Sequence, residues 1–257
     1  MLETIDHDGG AIHELRLDRP PVNALTPELL AALRDAIEAA PGAGARALVV
    51  SGRAGMFSAG LDVPYLLGLD RGGIEGLMAS LFGALRALAF SPVPVVAAVT
   101  GHSPAGGAVL ALMCDRRVMA AGDADVRFRI GLNEIEVGLP VPPAIFTAMA
   151  RRTGRRVAER LCLEGTLVDS DEALALGLVD ELAPACEVVD RALAWCRSLL
   201  DRPPGALAAT RAVARADLHA AFAGFEDQLG RFADAWFSEE TRAAMKALVA
   251  KLAARSR

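Results

Sequence analysis

The stretch GHSPAGGAVLALMCD (101–115) admits three chemistries, and single residues separate them. Gly101 and Gly106 have the G-x-x-x-x-G spacing of a phosphate loop. Gly107 stands where the phosphate-binding lysine belongs, and Ala108 where the magnesium-binding hydroxyl belongs, so that chemistry fails. GHSPA could instead be a nucleophile elbow with Ser103 as the attacking group. There the residue after the serine must donate its backbone N–H to the oxyanion, and Pro104 has none. The only downstream histidine, His219, falls in a helical pattern and makes a poor base partner. The third chemistry needs no side chain. Gly106 and Gly107 open a helix whose first N–H groups lack intrahelical partners and lie at the positive end of its dipole. Such groups can stabilise a developing oxyanion. FSAGLD (57–62) is a second loop of small residues, with Ala59 and Gly60 placed between a strand and a helix. Two such loops can each aim one N–H at the same oxygen.

These loops require strands that end and helices that begin at the right places. The alternation in AIHELRLDRP predicts a strand that leaves its sheet at Pro20–Pro21. TPELLAALRDAIEAA predicts a helix with Thr26 as N-cap and Pro27 at its first position, stopped by Pro41–Gly42. ARALVVSG and PVPVVAAVTG read as buried strands feeding the two small-residue loops, with a helix over Ile74–Phe90 between them. DRRVMAAGDADVRF predicts two short strands around a turn at Gly122–Asp123, and GLNEIEVGLPVPP a loop. Helical pattern dominates from Pro142 onward, apart from a brief strand in GLVDEL. Strands alternating with helices, then helices alone, predict an α/β core over 1–199 and a helical region over 200–257. No fixed-period repeat is evident.

Composition narrows the function classes. The 257 residues suit one large domain with an appendage, and 53% hydrophobic content gives it a core. A net charge of −5 argues against a nucleic-acid partner. No apolar run predicts a membrane span, and MLETIDHDGG lacks the features of a secretory leader, so a cytoplasmic location is expected. Cys114, Cys162, Cys186 and Cys196 are widely spaced and read as reduced thiols. The scattered His7, His13, His102 and His219 predict no metal site.

Taken together, RPPVNAL (19–25), FSAGLD (57–62), AVTGHSPAGGAVLALMCDRRVMA (98–120), IGLNEIEVGLPVPP (130–143) and EGTLVDSDEALALGLVDEL (164–182) resemble the crotonase, or enoyl-CoA hydratase/isomerase, superfamily. The resemblance covers nearly the whole chain. It implies a spiral of repeated ββα units followed by C-terminal helices that build a homotrimer, or a hexamer of it. FEDQLGRFADAWF and AAMKALVAKL are the helices it would use. It implies an acyl-CoA thioester substrate and no separate cofactor, since coenzyme A belongs to the substrate. It places the oxyanion donors on Ala59 and Gly106. It counts Ala24, Gly60, Leu61, Asp62, Gly107 and Val109 among the residues that bind the thioester.

Hydratases of this superfamily carry two glutamates. Here the first of those positions is Val109, and the second is Glu134. The single acid, with the SPAGG and GLNE phrases, looks like the Δ3,Δ2-enoyl-CoA isomerase branch. Hydration must hold a water and protonate C2, a task for two carboxylates. Isomerisation moves one proton between C2 and C4, which one carboxylate can do as base and then acid. Val109 would keep water away and raise the glutamate's pKa. Glu136 competes with Glu134, since an extended segment would point both the same way. Asp62 and Asp115 read as groups that orient backbone; Arg127 and Arg129 read either as solvated charges or as lining for the acyl tail. The alternatives are a hydratase, another acyl-CoA reaction of this superfamily, or a silent acyl-CoA-binding oligomer, against which Glu134 speaks.

Overall fold

In the computed structural model, the apolar runs become the central strands of one sheet. The structure describes residues 1–255, without the side chains of 225–227, 252–253 and 255. Strands β1 (Leu2–His7), β2 (Ile12–Leu17), β3 (Ala47–Ser51), β5 (Val95–Val99), β7 (Arg116–Ala120) and β10 (Glu181–Ala183) form a six-stranded sheet in the order β1-β2-β3-β5-β7-β10. All its neighbours are parallel except β1 and β2. Every residue of β3 and β5 is buried, as expected of strands covered on both faces.

A second sheet has the order β4-β6-β8-β9, from β4 (Gly55–Met56), β6 (Gly101–Pro104), β8 (Arg129–Gly131) and β9 (Val168–Asp169). Three times the chain places one strand in each sheet and then turns into helix. β3 and β4 precede α2 (Val63–Leu66) and α3 (Arg71–Phe90). β5 and β6 precede α4 (Gly106–Met113). β7 and β8 precede α5 (Pro143–Thr153) and α6 (Arg155–Glu164). This is the ββα spiral. Its turns start at Ala47, Val95 and Arg116, so their unequal lengths hide the repeat from any fixed-period search.

Local signals act where they stand. Thr26 caps α1 (Pro27–Ala39) by accepting from Leu29 N–H at 3.3 Å. α3 begins three residues earlier than predicted, because Asp70 accepts from Gly73 N–H at 2.8 Å. By length and composition α3 could cross a membrane, but half of its apolar window is buried, against α1 and α4 among others. Two expectations need correction. The strand expected in ADVRF starts only at Arg129, because Asp123 Oδ1 takes the N–H groups of Asp125 and Val126 in a local turn. The loop around Glu134 contains a 3-10 turn over Glu134–Val137.

Following α7 (Ser170–Ala175) and α8 (Val188–Leu200), the C-terminal region consists of α9 (Pro204–Ala214), α10 (Ala216–Ala221), α11 (Phe225–Trp236) and α12 (Glu239–Arg255). Residues 256–257 of the predicted region, and the side chains of Phe225 and Leu252 in its two helices, lie outside the described residues. Asp115 ties this region to the core. It accepts from Val95 N–H at 2.8 Å and pairs with Arg211 and Arg215 at 2.9 and 2.8 Å. Burial opposes ionisation of Asp115, but the two guanidiniums outweigh it and hold its carboxyl below the usual range. α11 and α12 fold back onto α2, α3 and the Glu134 turn of the same chain.

Candidate active site

The two small-residue loops meet at one wall of a cavity of about 740 Å³. Asn23 is buried and ties the 57–62 loop to its own loop at 19–25, its Nδ2 donating to Phe57 O at 3.0 Å while its own carbonyl accepts from Ser58 Oγ at 2.7 Å. Leu25 then bridges Leu61 in parallel, donating to Gly60 O at 2.8 Å and accepting from Asp62 N–H at 3.1 Å. In such a bridge the N–H of Leu61 itself points away from Leu25.

An account of the loop's N–H groups corrects the donor assignment. Ala59 N–H is engaged by Val22 O at 2.9 Å, and Gly60 N–H by Ser58 Oγ at 3.1 Å. Leu61 N–H and Gly106 N–H have no partner among the described residues, and both residues line the cavity. They are close neighbours: a Cβ built on Gly106 would lie 3.4 Å from the Leu61 nitrogen. The unengaged pair is therefore Leu61 and Gly106, with Ala59 supplying wall rather than donor. Sequence reasoning missed this because FSAGLD shows which residues are small, while the bond that occupies Ala59 N–H runs to Val22 in an earlier loop.

Gly60 and Gly107, expected at the substrate, do not line the cavity. They permit the close approach of the loops. Gly60 has φ +85°, and a Cβ on it would lie 2.9 Å from Gly106 N. A Cβ on Gly107 would lie 2.3 Å from Ser58 O. Asp62 lines the wall but is occupied, capping α2 through Tyr65 N–H and pairing with Arg19 at 2.8 Å. Ala24 lines the same wall, its carbonyl held by Arg19.

The serine chemistry is absent from this wall. Ser103 is fully buried, its Oγ has no partner among the described residues, and it does not line the cavity. The residue at the strained turn, with φ +47°, is Ala105. His219 packs on the Phe90 ring, 5.1 Å between centroids, and does not line this cavity.

Glu134 lines the cavity from the 3-10 turn. Its Oε2 is sealed from solvent and has no hydrogen-bond partner among the described residues. Burial raises its pKa to about 7, against a smaller opposing effect of its own backbone N–H. That value suits a group that must both take and return a proton near neutral pH. Glu136 lines the cavity too, but it is exposed and accepts from Asn133 Nδ2 at 3.3 Å. The segment is helical rather than extended, so the condition for both glutamates to point the same way is not met.

Val109, on α4, is buried and lines the cavity with Met78, Leu81, Ile145, Phe232 and Trp236. The last two belong to α11, and with Met245 and Leu248 of α12 they make the C-terminal helices a roof over this chain's own site. Sequence reasoning expected these helices at subunit contacts. Their apolar spacing shows a face to be covered but not what covers it. Arg127 and Arg129 are exposed and do not line the cavity, which resolves them as surface charges. Among the described residues no cluster of three or more His, Cys, Asp or Glu could hold a metal ion.

Residues 7–254 match the family model described as enoyl-CoA hydratase/isomerase. A Mycobacterium tuberculosis protein named probable enoyl-CoA hydratase EchA17 is 39% identical over 202 residues, covering 77% of this chain and 74% of that one. Human mitochondrial enoyl-CoA delta isomerase 1 is 32% identical over 214 residues, covering 82% and 70%. The crystal structure of human mitochondrial Δ3-Δ2-enoyl-CoA isomerase superposes with a TM-score of 0.94 at 26% identity, over 100% of this chain and 99% of that one. Mycobacterium ulcerans enoyl-CoA hydratase EchA3 superposes with 0.79 at 29% identity, over 91% and 96%. A ββα spiral with two unengaged backbone N–H groups and a glutamate whose Oε2 is sealed from solvent lining one cavity, matched along nearly its whole length, makes this chain a member of the enoyl-CoA hydratase/isomerase family, the crotonase superfamily.

Proposed function

We propose that the protein is a Δ3,Δ2-enoyl-CoA isomerase in which Glu134 carries the proton. The observation that carries this reading is the single sealed carboxylate, raised to about 7, in a cavity whose α4 wall presents Val109. Glu134 as carboxylate takes a proton from C2 of a 3-enoyl thioester. The electron pair moves onto the thioester oxygen and gives a dienolate. Leu61 and Gly106 N–H hold that oxygen, each supplying about a hundredfold to a thousandfold. Protonated Glu134 then returns the proton at C4, and the double bond lies between C2 and C3. The reading uses no cofactor, because coenzyme A is part of the substrate.

The whole-chain likeness to the human isomerase supports it. Hydration is the second reading, favoured by the relative named a probable hydratase and by Glu136 at the same cavity. The decisive measurement incubates the purified protein with 3-enoyl-CoA and with 2-enoyl-CoA. Isomerisation shows as a gain of conjugated-thioester absorbance and hydration as its loss. Hydration at rates equal to or above isomerisation would overturn the proposal in favour of the second reading. The family resemblance makes a homotrimer, or a hexamer of it, the proposed assembly, to be tested by light scattering of the purified protein.

A further inference from the structure

The turn that carries Glu134 contains no buried residue of its own, so something outside must hold it. Its last carbonyl, Gly138 O, accepts from Thr241 Oγ1 at 2.9 Å, a hydroxyl delivered by α12 from 103 residues further along the chain. No other donor among the described residues reaches that oxygen. Thr241 is 1% exposed and is itself held. Ser238 Oγ accepts from Thr241 N–H at 3.2 Å, as an N-cap does, and donates to Thr241 Oγ1 at 3.0 Å. The fit is close, since a Cβ on Gly138 would lie 2.7 Å from Thr241 Oγ1. Within the turn, Leu139 N–H bonds Glu134 O at 3.0 Å, which connects the clamped end to the residue that bears the carboxylate. The neighbouring Arg242 donates to Leu67 O at 3.3 Å, just past α2 and on the side of the oxyanion loop. The start of α12 therefore bonds both the end of the Glu134 turn and the chain just past α2.

We propose that Thr241 is a positioning residue, whose hydroxyl sets the Glu134 turn so that the carboxylate faces the reacting carbons. The inference rests on the role given to Glu134, but not on isomerisation over hydration, because either reaction needs that carboxylate in place. Misplacing a reacting group by about 1 Å can cost on the order of a hundredfold.

The test compares Thr241→Val, which keeps the shape and removes the hydroxyl, with Thr241→Ser, which keeps the hydroxyl. Each is assayed in whichever of the two reactions the wild type catalyses, and amide hydrogen exchange is followed over residues 133–139. Thr241→Val is expected to lower kcat by about ten- to a hundredfold. KM should stay within twofold, exchange in 133–139 should quicken, and Thr241→Ser should stay near wild type in all three. A kcat within twofold of wild type, equal loss in both variants, or a loss carried by KM would overturn the proposal. If Thr241→Val does not fold, Ser238→Ala takes its place, and an unchanged kcat there would overturn it equally. A wild type inactive in both reactions, or a fully active Glu134→Gln, would instead overturn the reading of Glu134. The exchange comparison would still show whether Thr241 holds the turn.

Discussion

The two walls of the cavity are built by opposite means. The wall proposed to hold the oxyanion presents backbone. Asn23, Leu25 and Ser58 consume the hydrogen-bonding groups around it and leave Leu61 and Gly106 N–H over. The Asn23 amide and the Ser58 hydroxyl hold the loop, and the glycines leave the space that lets it approach Gly106. The other wall presents one side chain on a short turn, its Oε2 sealed from solvent, and the end of that turn is bonded by Thr241 of α12. The first wall should not tolerate added volume at its glycines. The second should tolerate neither loss of its carboxylate nor entry of water.

The sharpest way to break the contrast is Glu134→Gln. Turnover should fall by about a thousandfold or more while affinity for a CoA thioester stays nearly intact, because the carboxylate moves protons rather than binding substrate. Steady-state kinetics and direct titration check this, and loss of activity in Glu136→Gln instead would move the acid along the turn. On the opposite wall, Gly106→Ala would bring a Cβ within 3.0 Å of Leu25 Cδ1 and 3.1 Å of Gly60 Cα. Crowding the donor pair should lower kcat/KM by about a hundredfold. Activity within threefold of wild type would show that these two N–H groups are not the oxyanion site.

Val109→Glu puts a second acid on the wall opposite in character. The ratio of hydration to isomerisation should rise by about tenfold, with one of the two carboxyls pushed up further by the other. An unchanged ratio would mean that the valine does not decide the reaction. Next comes pH. Glu134 must be ionised to take the first proton, so kcat/KM should climb through about pH 7. The same shift acts on stability. A carboxyl whose pKa is raised by folding favours the fold fully below its ordinary value of 4.5, and that advantage is lost as pH rises to about 7. At about 1.4 kcal/mol per pKa unit, Glu134→Gln should gain on the order of 3 kcal/mol over wild type at pH 8 relative to pH 4. Denaturant melts at both pH values measure it, and parallel curves would show that the carboxyl is not desolvated. The smallest effect is expected for Ser103→Ala, with activity within twofold and no labelling of the wild type by a fluorophosphonate. Stoichiometric labelling at Ser103 would restore a nucleophilic serine.

Much of the core was readable because its signals are local. Thr26 with Pro27 starts a helix whatever surrounds it, and ALVVS and VVAAV have few folded solutions other than buried strands. Pro104 carries no N–H, and the sequence alone shows that this argues against a serine elbow. Val109 and Glu134 showed one acid where two could stand, and the resemblance of five ordered motifs marked the family. Which N–H groups remain unengaged was decided only by tertiary structure. Ala59 and Leu61 sit two residues apart in one loop, and what distinguishes them is Val22 and Leu25 in the loop between β2 and α1. Likewise the apolar stripe of α11 announced burial, and the packed chain shows Phe232 and Trp236 of that stripe lining this chain's own cavity. Periodicity describes one element at a time. A hydrogen-bond partner or a covering surface belongs to a pair of elements, and only the packed chain specifies the pair.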